Sequence, residues 1–450
     1  MQVAVIGAGI TGLSAALELR VRCAHVTVLE AGSRVGGVIT TLRRDGFLVE
    51  AGPTSLTTTP ALEHVIDMLD LEPVRLSPSA AAKRRYIVRD GTPVPLPSDP
   101  VSLVRTRALS ASAKLRLLRE PFVQAVRSPE DESVASLVRR RLGDEIVAYM
   151  VNPFVAGIYA GNPERLSARH AMPILYHAER RHGSLLIGGM KEAKARAGVV
   201  RRRGITSFRD GLHTLPAAMA AALGPRVRLR TRLTGLAREG DGWRVQLDAQ
   251  GAPEDRYFDA LVWAGPAHAL ASLTLPPEAR GALAPAMQLR HPPLATLALG
   301  FARRDVTHPL DGFGVLCPEV ERRTVLGVLF SSSVFEGRAP EGQVLVTCFI
   351  GGERAPALGA APLETLLPAV LEDLRTLLGV RGTPTFVHHQ QWPHAIPQYE
   401  LGHEAVENGA ARAEAALPGL YLTGQWRNGV SLGDCIAQGQ ATAARVMAER

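Results

Sequence analysis

Short unbroken apolar runs alternate along this chain with longer stretches whose apolar positions recur every three or four residues. The first thirty residues hold both. Residues 3–6 are wholly apolar and lead into Gly7-Ala8-Gly9-Ile10-Thr11-Gly12; Leu13, Ala16, Leu17 and Leu19 follow at helical spacing, and a β-rich run over 26–29 ends at Glu30. The pattern predicts a strand, a glycine turn, a helix and a second parallel strand. Gly7 permits the tight turn, Gly9 lacks the Cβ that would hold a diphosphate off the backbone, and Gly12 lets the helix close on the sheet. The diphosphate then meets the free N–H groups of the helix start, at Ile10 and Thr11, while Glu30 is placed to accept from a ribose diol.

The pattern changes character further on. Ala31-Gly32-Ser33-Arg34-Val35-Gly36-Gly37 is a second glycine cluster, in which Arg34 offers a forked donor to an anionic ligand. A strand over 47–50 ends in Gly52-Pro53-Thr54-Ser55, where backbone could again approach a ligand. Pro93, Pro95, Pro97 and Pro100 predict a stiff, extended connector. Residues 101–195 are mostly helical in pattern, with Leu115, Leu118, Val134, Leu137, Val138 and Leu142 among the apolar positions. Strands return over 227–230, 243–247 and 258–264 after a helix at 211–223. A mixed segment follows, with strands at 294–301, 325–330 and 344–350 and a helix around 363–378. The chain closes on a strand at 420–423, Gly424 and a helix over 432–447. The fold class is α/β.

Composition narrows the choices. At 450 residues the chain exceeds what one core organises, so two or three domains are expected. The net charge of +8 is local: residues 101–203 hold 19 Lys and Arg against 9 Asp and Glu, leaving the remainder about neutral. The runs Arg139-Arg140-Arg141 and Arg201-Arg202-Arg203 read as solvated faces. Four cysteines without C-x-x-C spacing argue against a disulfide framework or zinc site and for a reducing cytoplasm. No signal peptide or eighteen-residue apolar run is read, and no aromatic-rich basic groove points to nucleic acid. His388 and His389, adjacent on a strand, point to opposite faces, so with His394 they make no metal site. Cys435 reads as a buried structural thiol. G-x-S-x-G is absent and no acid–base constellation stands out, which suits chemistry carried by a cofactor.

Together GAGITG, Glu30, Arg34 with Gly36-Gly37, and EAGPTS resemble the flavin-binding signature of the FAD-dependent amine oxidase superfamily. Within it the chain is most similar to the protoporphyrinogen oxidases and the related bacterial coproporphyrinogen III oxidases. The stretches that carry this are AAKRRYIV with Asp90-Gly91, GIYAG (157–161), GFGVLCP (312–318), IPQYELGH (396–403) and TGQWRNGVSLGDCIAQG (423–439). The resemblance implies FAD as cofactor and a discontinuous Rossmann-like domain assembled from 1–78, 204–267 and 395–450. It implies an α+β substrate domain from 79–97, 180–203 and 268–394, and a helical, membrane-associating insertion at 98–179.

The same resemblance adds Ala31, Val227 (its backbone against adenine), Gly424, Gly429 and Val430 to the cofactor residues, the last three as a second pyrophosphate- and ring-binding element. On the substrate side it implies that Arg85 pairs with a propionate, although Lys83 and Arg84 are equal candidates by residue type alone. It also implies that Phe313 and Leu316 sandwich the macrocycle, with Gly314 giving backbone access between them and Phe349 on the opposite wall. The implied partners are a porphyrinogen, molecular oxygen and the inner face of a cell membrane, with a homodimer as a further expectation. Two positions depart from the pattern: Thr54 stands where many relatives have Asn, and Val38 where many amine oxidases have Arg. Coproporphyrinogen III as substrate, another amine oxidase or desaturase, and a flavin-free binding protein are the rival readings.

Overall fold

The structure is a computed structural model and describes residues 1–126, 130–195 and 204–449; the 201–203 arginine run lies outside the described residues. Its centre is a five-stranded, all-parallel sheet in the order Val227–Arg228, His25–Leu29 (β2), Gln2–Ile6 (β1), Ala260–Trp263, Leu420–Leu422. Three distant parts of the chain therefore build one sheet. The strands are mostly apolar at their centres because both faces are covered there. Val3, Val5, Val26, Val28 and Val262 point into one core, under the helix Ile10–Val21 (α1) and the last helix, Leu432–Ala448. Ala4, Ile6, Leu29, Leu261 and Trp263 point into the other.

The two helices on the first face cross at near backbone contact. A Cβ at Gly439 would stand 2.4 Å from the Thr11 carbonyl oxygen, and one at Gly12 only 1.9 Å from that of Gly7. Gly12 is thus a packing glycine, as its place in the motif predicts.

The second core is closed by an antiparallel sheet of Thr231–Glu239, Gly242–Ala249 and Ala252–Phe258, and by the helices Pro277–Met287 and Glu404–Ala416. Here the expected division of the chain needs moving. The segment 268–287 was expected in the substrate unit, but Leu270, Ala279, Leu283 and Ala286 pack with the parallel sheet.

A seven-stranded sheet forms the second unit, ordered Phe386–Trp392, Leu294–Ala302, Gln343–Gly351, Val325–Leu329, Gly312–Leu316, Arg84–Arg89, Thr92–Pro95. All its neighbours are antiparallel except Gly312–Leu316 beside Arg84–Arg89. The period of two sorts its faces. Leu297, Leu299, Val346 and Cys348 lie under the helix Leu363–Leu378, whose Leu366, Val370, Leu374 and Leu377 complete that core. Leu294, Thr296 and Phe349 are left on the opposite face. The proline connector is corrected in part: Pro93 and Pro95 belong to a strand. It is the edge strand of the sheet, where missing N–H groups can face outward.

The segment 100–195 is helical as expected, but the Arg139–Arg141 run is no solvated face. Arg141 and Glu120 are both fully buried and joined at 2.5 Å, and Arg141 also reaches Glu179 at 2.9 Å. Arg140 bonds Glu179 and Glu132, and Arg139 bonds Glu164 and Asp144. The run sits on the helix Val134–Leu142, so 139, 140 and 141 point in three directions: Arg139 stays half-exposed, while Arg140 and Arg141 converge on Glu179. Among the described residues no helix is long and apolar enough to cross a membrane.

Candidate active site

The glycine motif closes as the βαβ pattern predicts. Gly7, at φ +103°, donates its N–H to Leu29 O (2.8 Å) and tucks under the backbone of Ala264 and Gly265. Gly9 then caps α1 in an extended conformation, with no side chain capping the helix and no acid in its first turn. Nothing in the protein lies within 4 Å of where a Gly9 Cβ would be. Open space, an uncapped helix start and a missing Cβ form a cradle suited to a diphosphate.

Glu30 lies beside that cradle, its carboxylate accepting from the N–H groups of Ala8 (2.8 Å) and Gly32 (2.6 Å). Each oxygen keeps lone-pair capacity for a ribose hydroxyl. Val227 sits on the adjoining edge strand, in register with Val28, and Arg228 O accepts from Glu30 N, so Val227, Ala31 and Glu30 meet at one end of the sheet. The second glycine cluster folds directly onto the first: Gly36 N donates to Ala8 O at 2.8 Å, and a Cβ on Gly37 would come 3.3 Å from Gly9 Cα.

The Arg34 guanidinium donates to Gly37 O (2.7 Å), Thr40 Oγ1 (2.6 Å), Ile39 O (3.1 Å) and Val35 O (3.2 Å). Those bonds shape the glycine loop.

From this end a cleft with about 1140 Å³ of open space runs between the two units. One wall is Val38 with Gly52, Pro53, Thr54 and Ser55, joined by Val430, Ser431 and Leu432 from the C-terminal element. The opposite wall is the free face of the seven-stranded sheet, with Leu294, Thr296, Phe349 and Trp392. Ala156, Gly157, Ile158 and Ala160 of the GIYAG region close one side. The walls are tied together where Trp392 Nε1 donates to Ala51 O at 3.0 Å. Trp392 and Thr296 were not among the predicted site residues. Their alternation with core positions on their strands is the signal that could have found them.

In the C-terminal element Gly424 and Gly429 take positive φ (+131° and +121°), and a Cβ on Gly429 would collide with Asp434 at 2.7 Å. The helix that follows is capped by its own Ser431 and Asp434 in a reciprocal capping box. An acid at that helix start makes it a poorer seat for an anion than the start of α1, and Val430 and Gln425 line the cleft. Tyr399 holds this loop: its hydroxyl donates to Gln425 O and accepts from Gly429 N (2.8 Å). Cys435 is buried, and burial pushes its thiol up to about 11, as a structural thiol should be.

Of the expected substrate residues, Phe349 lines the cleft, while Phe313 lines a smaller cavity that shares Thr54 and Ser55 with it. Phe313 and Phe349 pack in one partly buried cluster with Leu329. Leu316 lies 3.1 Å from where a Gly157 Cβ would be, and a Cβ on Gly314 would strike Val328 O at 2.4 Å. Arg85 is exposed, with its guanidinium 5.5 Å from the Phe313 ring centre. Arg84 is engaged by Asp311, which Tyr86 also holds at 2.6 Å, so the choice among 83–85 narrows to Lys83 and Arg85. Among the described residues no group of three or more His, Cys, Asp and Glu is placed to hold a metal.

Comparison with known proteins agrees with this geometry. The family model described as flavin containing amine oxidoreductase matches residues 10–447. The mitochondrial protoporphyrinogen oxidase of Nicotiana tabacum is 34% identical over 97% of this chain and 93% of its own. The coproporphyrinogen III oxidase of Bacillus subtilis is 29% identical over 98% and 96%. A crystal structure from Exiguobacterium sp. 255-15, provisionally assigned as a protoporphyrinogen oxidase, superposes with a TM-score of 0.84 at 26% identity, covering 100% of this chain and 99% of that one. With an uncapped α1 over an open glycine, a cleft beside it and a full-length match, this chain belongs to the flavin-containing amine oxidoreductase family.

Proposed function

We propose that this flavoenzyme oxidises a porphyrinogen to the porphyrin in heme biosynthesis, with protoporphyrinogen IX as substrate and dioxygen as final acceptor, releasing hydrogen peroxide. The observation that carries the reading is the cleft itself. A mostly apolar slot opens beside the glycine segment 52–55, and Arg85, exposed and stacked on Phe313, offers a cation to a substrate carboxylate.

FAD, when bound, supplies a two-electron hydride acceptor. The protein's work is to bind, orient and exclude water. The α1 cradle and Glu30 hold the dinucleotide, and residues 52–55 with Val430 set the plane of its ring. Phe313, Leu316 and Phe349 flatten the macrocycle, and burial with offset stacking favours the planar product over the puckered substrate. Arg85 takes a propionate by a forked, charge-assisted contact. Three such two-electron rounds aromatise the ring. Aerobic incubation of the purified protein with protoporphyrinogen IX and with coproporphyrinogen III, followed by porphyrin fluorescence and peroxide titration, tests this. Fluorescence with the first substrate and one peroxide per two electrons are expected; fluorescence with coproporphyrinogen alone would reassign the substrate, and none with either would refute the proposal.

The helical segment at 98–179 fits a membrane surface. Val104, Leu118 and Phe122 are 74%, 71% and 88% exposed, and they project from a region rich in basic residues. Replacing Leu118 and Phe122 by Asp should abolish sedimentation with anionic vesicles while leaving the flavin bound. Unchanged sedimentation would remove the membrane role.

A further inference from the structure

Behind the cleft, and sharing Thr54 and Ser55 with it, lies a second, smaller cavity walled by Phe313, Val334, Phe335 and Thr347. Its space is a little more than one water needs, enough for a diatomic molecule. Its unusual member is Arg338, which is 2% exposed. Nη2 of Arg338 is satisfied by Ser207 Oγ (2.6 Å) and Phe208 O (3.3 Å), with Glu50 Oε1 at 3.6 Å. Nη1 is buried and finds no hydrogen-bond partner among the described residues. A buried guanidinium with an idle donor costs free energy unless something accepts from it.

The carboxylate that faces Arg338 is itself occupied. Glu50 accepts from Thr41 Oγ1 (2.7 Å) and Leu212 N (2.9 Å). The remaining polar wall is hydroxyl: Thr54, Ser55 and the Ser331–Thr347 pair, whose oxygens are 2.8 Å apart. With Arg338 and Glu50 opposed, the cavity carries little net charge, which disfavours a free anion. Its size excludes a substrate arm. A neutral molecule of two heavy atoms that gains negative charge as it reacts fits both facts.

We propose that this cavity is the dioxygen site of the oxidative half-reaction, and that Arg338 is the residue that stabilises charge as dioxygen is reduced. The inference rests on the oxidase reading above. Dioxygen takes two electrons and one proton from the reduced cofactor and a second proton from water, leaving as hydrogen peroxide. Charge appears on the oxygen before the second proton arrives. A preorganised, buried N–H donor lowers that barrier because it need not reorient.

The test reduces the holoenzyme with dithionite, so that it does not depend on which substrate is correct, and mixes it with oxygenated buffer in a stopped-flow instrument. Arg338→Met should slow the bimolecular reoxidation at least tenfold, leave reoxidation by a soluble quinone within twofold, and be rescued to within threefold by Arg338→Lys. Thr347→Ile fills the cavity without touching its charges and should also slow the oxygen reaction at least tenfold, which keeps the test open if Arg338→Met fails to fold. Crystals of the holoenzyme under xenon pressure should show a gas atom in the cavity, absent in Thr347→Ile. Oxygen reactivity within twofold of native in both variants, an equal fall with the quinone, or an empty cavity under xenon would each overturn the assignment. A normal oxygen reaction in an enzyme that ignores porphyrinogens would instead sink only the substrate reading.

Discussion

Gly9 and Gly12 stand three residues apart in one motif, yet the structure gives them opposite reasons for being glycine, and that contrast can be measured. A Cβ on Gly12 would lie 1.9 Å from Gly7 O, so Gly12→Ala must push α1 off the sheet whether or not flavin is present. Overpacking of this kind costs about 1–3 kcal/mol or more. A Cβ on Gly9 meets nothing within 4 Å, and its φ of −72° and ψ of 175° suit any residue. Gly9→Ala should cost the apoprotein about 1 kcal/mol or less, the N-cap preference alone. The loss should fall on the ligand. Displacing the diphosphate from one charge-assisted N–H bond forfeits about 1.5–3 kcal/mol, or roughly 10- to 150-fold in Kd. Stripping the flavin, measuring apoprotein stability in urea and titrating FAD back by fluorescence quenching separates the two terms. Gly9→Ala with native affinity, or with an apoprotein as damaged as that of Gly12→Ala, would refute the cradle.

Other consequences are equally direct. Glu120, fully buried, accepts from Arg141 Nε, Ser184 Oγ and Leu185 N, so Glu120→Ala strands a buried guanidinium and should destabilise the helical segment by about 3–5 kcal/mol in urea denaturation. Burial alone would raise its carboxyl, but the Ser184, Leu185 and Arg141 contacts outweigh that and hold it below its ordinary 4.5; Arg140 and Arg141 do the same for Glu179. Between the folded and unfolded values the unfolded chain binds more protons, so this stability is whole above about pH 4.5 and is lost as the pH falls through the depressed range. An acid titration in which Glu120→Ala loses stability in parallel with the native protein would contradict it. Arg85→Ala should raise KM more than it lowers kcat, because the arginine is exposed and remote from the reacting carbon; an unchanged KM argues against its role.

The sequence made the parallel sheet legible because its strands are buried on both faces and its glycines have few other uses in that order. The cleft's glycine wall was legible for the same reason. What escaped depends on partners far away in the chain. Arg139–Arg141 looks solvated until Glu120, Glu132, Glu164 and Glu179 are brought around it. Pro93 and Pro95 argue against a strand unless that strand is known to be an edge. Segment 268–287 follows a domain crossing and gives no sign of which core its alanines and leucines join. Trp392, Thr296, Arg338 and Glu50 carry no local motif; only the folding of two sheets against each other makes them neighbours.

The central claim is that a porphyrinogen held in this cleft delivers hydride to a flavin held by the opening glycines. Mixing the purified holoenzyme with protoporphyrinogen IX under strict anaerobiosis tests it in one trace. The yellow absorbance of the oxidised flavin should bleach within the turnover time and return when air is admitted, as porphyrin fluorescence grows. A flavin band that stays unchanged on mixing, in protein whose flavin still bleaches with dithionite, would contradict the account.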